Sequence, residues 1–463
     1  MSQIAPAPLA WTALGAPAAA ACAGGAVALT GYPVPPSPVA RARHFLLVAE
    51  PACCPGCAPR DPFGAVEVVA AAPMPMLAGA LRLSGRWQIQ SGAPRYRLTE
   101  ARTIEPPGWQ ALTRRAAIAG PLMCLAAGVP RARAQPAARS VLAAGPAVDL
   151  HSHAGGLASR QRILGGGAFG PVAAPMRAGG MAIACLAVVS DSPTHRVMAD
   201  HRIHPFRDPR PGELYAYGQT AFSRVHDLVR EQGLPVIADL AGLRRARAGA
   251  PGAIIAAEGA DFLEGQVDRV DEAHARWTLR HLQLTHYRVN ELGDIQTEAP
   301  VHGGLTDVGA AVIRRCNQLG IVVDVAHGTF DLVRRAAAVT TRPLVLSHTS
   351  LSARPRPFTR LIGADHARVI AGTGGVIGIW PPAALFPTLD ALAAGIARMV
   401  DAVGVEHVGL GTDMRGLVGP SVFPDYDSLP HLTEALLRVG FSPIETGKLL
   451  GGNYARVFAA VVG

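Results

Sequence analysis

The strongest constraint on this chain is an alternation that begins near residue 147 and runs to the end. Short apolar runs, "AVDLHSH", "MAIACLAVV", "GAIIAAEG", "LRHLQLTH", "GIVVDVAH", "PLVLSHTS", "GGVIGIW" and "HVGLGTD", are separated by longer segments such as "LTDVGAAVIRRCNQLG" and "LDALAAGIARMVDAVG". The longer segments space their apolar residues at helical period and carry Asp or Thr near their starts, where such residues cap helices. Eight strand-like runs joined by crossover helices predict a parallel (β/α)8 barrel, whose chemistry sits at the carboxyl ends of the strands.

Polar residues fall at those ends. The first run closes with His151 and His153, which lie two apart and so point to one side of an extended strand. The third ends in Glu258, the fourth in His286, the fifth in His327, the sixth in His348 and the eighth in Asp413. A single histidine at a strand end is ordinarily a solvated or hydrogen-bonded residue. Seven such residues converging on one barrel mouth instead supply the nitrogen and oxygen ligands that zinc prefers, with positions left over for water and substrate.

Composition narrows the partners. With 463 residues, 49% hydrophobic and 17% charged, the chain can bury one large core and an additional small one. Its formal charge of +9 raises nucleic acid as a partner, yet the arginines are scattered and form neither a basic helix nor an aromatic-interleaved patch, so no nucleic acid is expected. Among 43 basic residues the only lysine is Lys448.

The first third reads differently. Residues 1–30 are an Ala/Pro-rich run without period, expected to be disordered. Residues 31–110 hold short strand-like runs ("HFLLVAE", "AVEVVAA", "LRLSGRW", "YRLTEA") broken by Pro and Gly, which predict a small all-β module. Its "ACCPGCAP" loop offers Cys53, Cys54 and Cys57 but no fourth ligand for a structural zinc, and is read as a loop with incidental thiols. Residues 111–134 join Arg114 and Arg115 to a short apolar stretch and an Ala-x-Ala site at Ala132 to Ala134, the pattern of a twin-arginine export signal. The export machinery is then an expected partner and the periplasm the expected location, with a mature chain from about Gln135, the barrel covering 135–463. Cys185 and Cys316, which follow that site, are expected to be buried as small apolar residues.

From about 147 to 460 the chain resembles the zinc-dependent membrane (renal) dipeptidase family of the amidohydrolase superfamily, through "AAEG", "LQLTHYRVN", "GGLTDVGAAVIRRCNQLGIVVDVAH", "PLVLSHTS", "GGVIGI" and "VGLGTD". The resemblance implies two Zn2+ ions, one held by His151 and His153, the other by His327 and His348, with Glu258 bridging. Many amidohydrolases bridge their metals through a carbamylated lysine, but Lys448 follows the eighth run, which leaves Glu258 as the bridge. By the same resemblance Asp413 accepts the proton of the attacking water, His286 steadies the oxyanion, and Arg360 holds the substrate carboxylate. Arg354 and Arg356 compete for that last role because the loop needs one inserted residue to align. A dipeptide substrate follows, and a homodimer is plausible for the family.

Departures temper the substrate assignment. The family usually has His-x-Asp where this chain has His151-x-His153, its second acidic residue after the eighth strand is replaced by Arg415, and "GIWPPAALF" differs from the usual form. Hydrolysis of an N-acyl amino acid or lactam and a one-zinc deaminase therefore remain alternatives, as does a metal-free binding protein.

Overall fold

The computed structural model of the protein describes residues 7–9, 11, 14, 22–34, 41–49, 65–75, 81–91, 94–104 and 136–463 apart from 201 and 353. The Cys53, Cys54 and Cys57 loop and the Arg114–Arg115 export segment lie outside the described residues. Two compact units emerge, divided near residue 133.

The first is the expected all-β module. Strands β1 (Ala26–Val34), β2 (Arg41–Val48), β3 (Ala65–Pro75), β4 (Leu81–Ile89) and β5 (Tyr96–Thr103) pair in the order β1-β2-β3-β5-β4, and β4 returns to β1 to close a ring. Only the β3–β5 pair is parallel; the other pairs of the ring are antiparallel. This is the strand order of a five-stranded Greek-key barrel of the OB type. Val27, Leu29, Phe45, Leu47, Val66, Leu83, Trp87 and Leu98 fill it. Inside the stretch whose composition predicts disorder, a two-residue strand, Ala7–Pro8, pairs parallel with β1 at Val27 and Ala28, and β1 itself starts at Ala26 and places Val27 and Leu29 in the core.

The second unit is the predicted barrel. Strands β6 (Val148–Ser152), β7 (Ile183–Val189), β8 (Gly252–Glu258), β9 (Leu279–Gln283), β10 (Val322–Asp324), β11 (Val345–Thr349), β12 (Val376–Ile379) and β13 (Val408–Leu410) are all parallel and close in sequence order. Every one of the eight apolar runs supplies one of these strands. Capping works as the sequence implies. Thr306, Thr329 and Thr388 accept backbone N–H bonds at the starts of α1 (Asp307–Leu319), α2 (Phe330–Val339) and α3 (Leu389–Val403), each contact stabilising its helix by about 1 kcal/mol. The last helix, α4 (Asn453–Val462), adds Tyr454, Val457, Phe458 and Val461 to the core formed by β6, β7, β8 and β10–β12. Cys185 and Cys316 are free and buried, as expected. Among the described residues no helix is long and apolar enough to cross a membrane.

Strand lengths matter for the site. Strands β10 and β13 stop at Asp324 and Leu410, so His327 and Asp413 stand just beyond the paired residues, with φ of 66° and 48°. Left-handed backbone at non-glycine residues is unfavourable and clusters where side-chain direction matters more than local comfort. Glycines make room alongside: a Cβ at Gly378 or Gly411 would overlap the Ser347 carbonyl, so β12 and the residue that follows β13 approach the residue before His348 only because neither has a side chain there.

Candidate metal centre

Glu258, at the end of β8 and 2% exposed, is the centre of the barrel mouth. Its Oε1 lies 3.3 Å from His151 Nε2, 3.3 Å from His327 Nε2 and 3.4 Å from His348 Nε2. Its Oε2 lies 3.1 Å from His153 Nε2 and 3.2 Å from His286 Nε2. Between rings, His151 and His153 bring their Nε2 atoms to 3.1 Å, as do His327 and His348. Asp413 joins from the β13 end, Oδ1 3.5 Å from His153 Nε2. All six residues, and His286 with them, are buried.

These distances discriminate. Two donors about 2.0–2.1 Å from a tetrahedral ion are separated by about 3.3 Å, which matches the spacing around Glu258. One tautomer is fixed as well. His153 Nδ1 donates to the Ala187 carbonyl at 2.9 Å, so in the neutral ring Nε2 presents a lone pair to the centre; His348 Nδ1 meets Ser347 Oγ at 2.9 Å, which holds the ring with Nε2 inward and in which either atom can donate. At this centre, groups of donors close enough to hold an ion are His151, His153 and Asp413; His151, Glu258 and His348; and Glu258, His286 and His327. The residues present thus fit divalent metal: His151 with His153 and His327 with His348 each bring their Nε2 atoms to 3.1 Å, and Glu258 reaches both pairs.

Electrostatics follow from burial. Burial alone would raise the Glu258 carboxyl, yet the imidazoles around it, His286 foremost, hold it well below the carboxylate range. Burial, with the charge of Arg360, keeps His327 well below the usual histidine value, and His348 is depressed by burial and by His151. In His153 the depressing effect of burial is overcome by Glu258 and Asp413, which lift it to about 9. Burial pushes Asp413 up to about 7 against the pull of His153.

Two buried aspartates that sequence reasoning missed set the strand ends. Asp149 Oδ1 accepts the His151 N–H at 3.3 Å and the Thr412 N–H at 2.8 Å, tying β6 to the turn that carries Asp413. Asp324 Oδ1 accepts the Ala326 N–H at 2.9 Å and the Ser347 N–H at 3.0 Å, tying the residue before His327 to the residue before His348. Its Oδ2 lies 3.1 Å from Nε2 of His281, whose Nδ1 meets Tyr454 Oη at 2.8 Å. An acid inside an apolar run, "VDLHSH" and "VVDVAH", was the available signal.

Arg360 is 3% exposed, whereas Arg354 is exposed and Arg356 only half-buried. It donates to Gln296 Oε1 at 2.8 Å and to the His348 carbonyl at 3.2 Å, its Nε has no acceptor, and among the described residues no carboxylate pairs with it. A buried guanidinium so placed suits an incoming carboxylate. Lys448 pairs with Glu406, away from these residues, and supplies no bridge. Gly416 is required beside the site, since a Cβ there would overlap Asp413 and the His153 ring.

A closed parallel barrel with histidines and a carboxylate gathered at its strand ends is an amidohydrolase-type fold. The family model for membrane dipeptidases, peptidase family M19, matches residues 213–462, more than half of the chain. The chain belongs to that family. Strands β6 and β7, with His151 and His153, lie upstream of the matched interval. Dipeptidase aclJ of Aspergillus oryzae is 33% identical over 196 residues, 40% of this chain and 45% of that protein; dipeptidase verJ of Clonostachys rogersoniana is 30% identical over 192 residues, 40% and 49%. The chain therefore spans about half the length of these curated relatives. In fold it is similar to the probable dipeptidase PvdM of Pseudomonas aeruginosa (TM-score 0.58, 19% identity, 70% of this chain and 97% of that one). It is also similar to a metallopeptidase of Rhodobacter sphaeroides solved with a phosphinate mimic of the dipeptide L-Ala-D-Ala (TM-score 0.55, 21% identity, 68% and 99%).

Proposed function

We propose that this protein is a zinc-dependent dipeptidase that hydrolyses the peptide bond of a dipeptide with a free C-terminal carboxylate. The observation that supports it is the Glu258 carboxylate with five imidazole nitrogens 3.1–3.4 Å from its oxygens. His151, His153, His327, His348 and Glu258 would hold two ions. Bound zinc lowers the pKa of water towards neutrality and polarises a carbonyl, chemistry that no side chain supplies as well.

The chain's own residues do the rest. Arg360 pairs with the substrate carboxylate and fixes the register of the peptide. Asp413 takes the proton from the attacking water and returns it to the leaving amine, for which a carboxylate raised by burial is suited. His286, from the loop after β9, faces the developing oxyanion through Nε2. Export through the Arg114–Arg115 segment to the periplasm belongs to the same reading; N-terminal sequencing of the mature chain should find a start near Gln135. A homodimer is part of it too, and sedimentation of the purified chain tests that.

The deciding experiment is elemental analysis of the purified chain beside Glu258→Gln, with a mixed dipeptide panel on the same samples. Two zinc ions per chain with peptide cleavage are expected, and both should fall in the variant. One ion without turnover of any dipeptide would overturn the reading in favour of another amide hydrolysis, and a phosphinate dipeptide mimic should inhibit only if the peptidase reading is right.

A further inference from the structure

Beside the metal centre is a second group of titratable residues to which neither the resemblance nor the proposed chemistry gives a role. Asp191, two residues past the end of β7, is fully buried. Its Oδ1 accepts a hydrogen bond from His286 Nδ1 at 2.7 Å, and its Oδ2 accepts the backbone N–H of Tyr287 at 3.0 Å. One carboxylate therefore grips both the ring and the main chain of the loop that presents His286. His195, at the start of the short hairpin His195–Val197/Ile203–Pro205, places Nδ1 3.1 Å from the same Oδ1 and sets its ring edge-on to His286, centroids 5.2 Å apart.

The three side chains could be taken for another ion site, since their donor atoms lie within 4.8 Å of one another. Distance argues otherwise. Donors sharing a tetrahedral zinc stand about 3.3 Å apart, whereas His286 Nδ1 and Asp191 Oδ1 are at 2.7 Å, a charge-assisted hydrogen bond. A proton lies between them.

We propose that Asp191, buttressed by His195, is the positioning residue for His286. Resting on the dipeptidase reading, it holds the Nδ1–H tautomer and fixes the ring so that Nε2 faces the reacting carbonyl. The geometry follows from the two anchors: with Nδ1 held from one side, Nε2 is directed at the centre, 3.2 Å from Glu258 Oε2. The Tyr287 N–H bond removes the remaining freedom of the loop. Residues that orient a functional histidine through its other nitrogen commonly affect affinity or rate by about 10–100-fold when lost.

The test compares the full chain with Asp191→Ala and Asp191→Asn, measuring dipeptide kcat and KM, zinc content, and 15N spectra of histidine-labelled metal-free protein with His286 assigned through His286→Gln. Asp191→Ala is expected to lower kcat by about 10–100-fold, to leave KM within about threefold and zinc content unchanged, and to shift the His286 ring nitrogens towards the mixture of tautomers of a free imidazole. Asp191→Asn, which keeps one acceptor, should recover part of kcat and of the spectrum, and also serves if the alanine variant does not fold. An unchanged His286 spectrum, or kcat within twofold of the parent in both variants, overturns the proposal; so does loss of zinc in step with loss of rate, which would make Asp191 a support of the ion. If the parent cleaves no dipeptide, the dipeptidase reading fails by itself, and the spectra still decide whether Asp191 fixes His286.

Discussion

At the scale of residues, the identity of each ligand candidate was readable because strand ends are a small set of positions and seven of them are His, Glu or Asp. Their supports were not. Asp149 and Thr412 are 263 residues apart, and Asp191 meets His286 across 95, so only a closed barrel makes them neighbours. Nor can spacing say that His327, Asp413 and Arg415 adopt left-handed backbone. Away from the ligands, His366 has consequences for stability. It is 6% exposed, its Nε2 has no partner, and burial, helped by the charge of Arg360, pushes it down to about 4. Between pH 6.5 and 4 the unfolded chain binds this proton and the folded chain does not, so stability falls as pH drops through that window. His366→Leu should remove this component: from pH 7 to pH 5 the parent should lose about 2 kcal/mol more than the variant, measured by urea unfolding.

Elements were legible where period and punctuation agree. All eight barrel strands and the Thr-capped starts of α1, α2 and α3 stand where the pattern puts them. What the pattern could not show is that β10 and β13 are only three residues long, so that buried acids join a few backbone bonds, Val325 N–H to the Val345 carbonyl at 2.8 Å and Asp413 N–H to the His151 carbonyl at 2.9 Å, in holding their continuation. Asp324 therefore supports two elements at once. Asp324→Ala would leave His281 buried without its carboxylate and the Ala326 and Ser347 N–H groups without an acceptor, a loss of about 3–5 kcal/mol in urea unfolding. Asp324→Asn, which keeps an acceptor, should lose less. Equal losses would mean that the charge on Asp324 contributes nothing to holding β10 and β11 together.

For the whole molecule, each compact unit has its own core, the five-stranded ring around Trp87 and Leu83 and the barrel around its eight strands. A chain starting at Gln135 should thus fold, take up the same zinc per chain as the full-length protein and cleave the same dipeptides; an insoluble or metal-free product would show that the barrel depends on residues before it. The crowd of imidazoles around Glu258 also has a chemical consequence for how metal arrives. In metal-free protein the neighbouring carboxylates keep His153 protonated up to about 9, so a proton stands where a cation would, and loading the site is an exchange of one for the other. Zinc added to stripped protein in weakly buffered solution at pH 7 should acidify it, and the midpoint of loading should move to higher zinc as the medium turns acid. The barrel mouth would then act as an ion exchanger, loading more readily as its surroundings turn alkaline and surrendering its metal to acid.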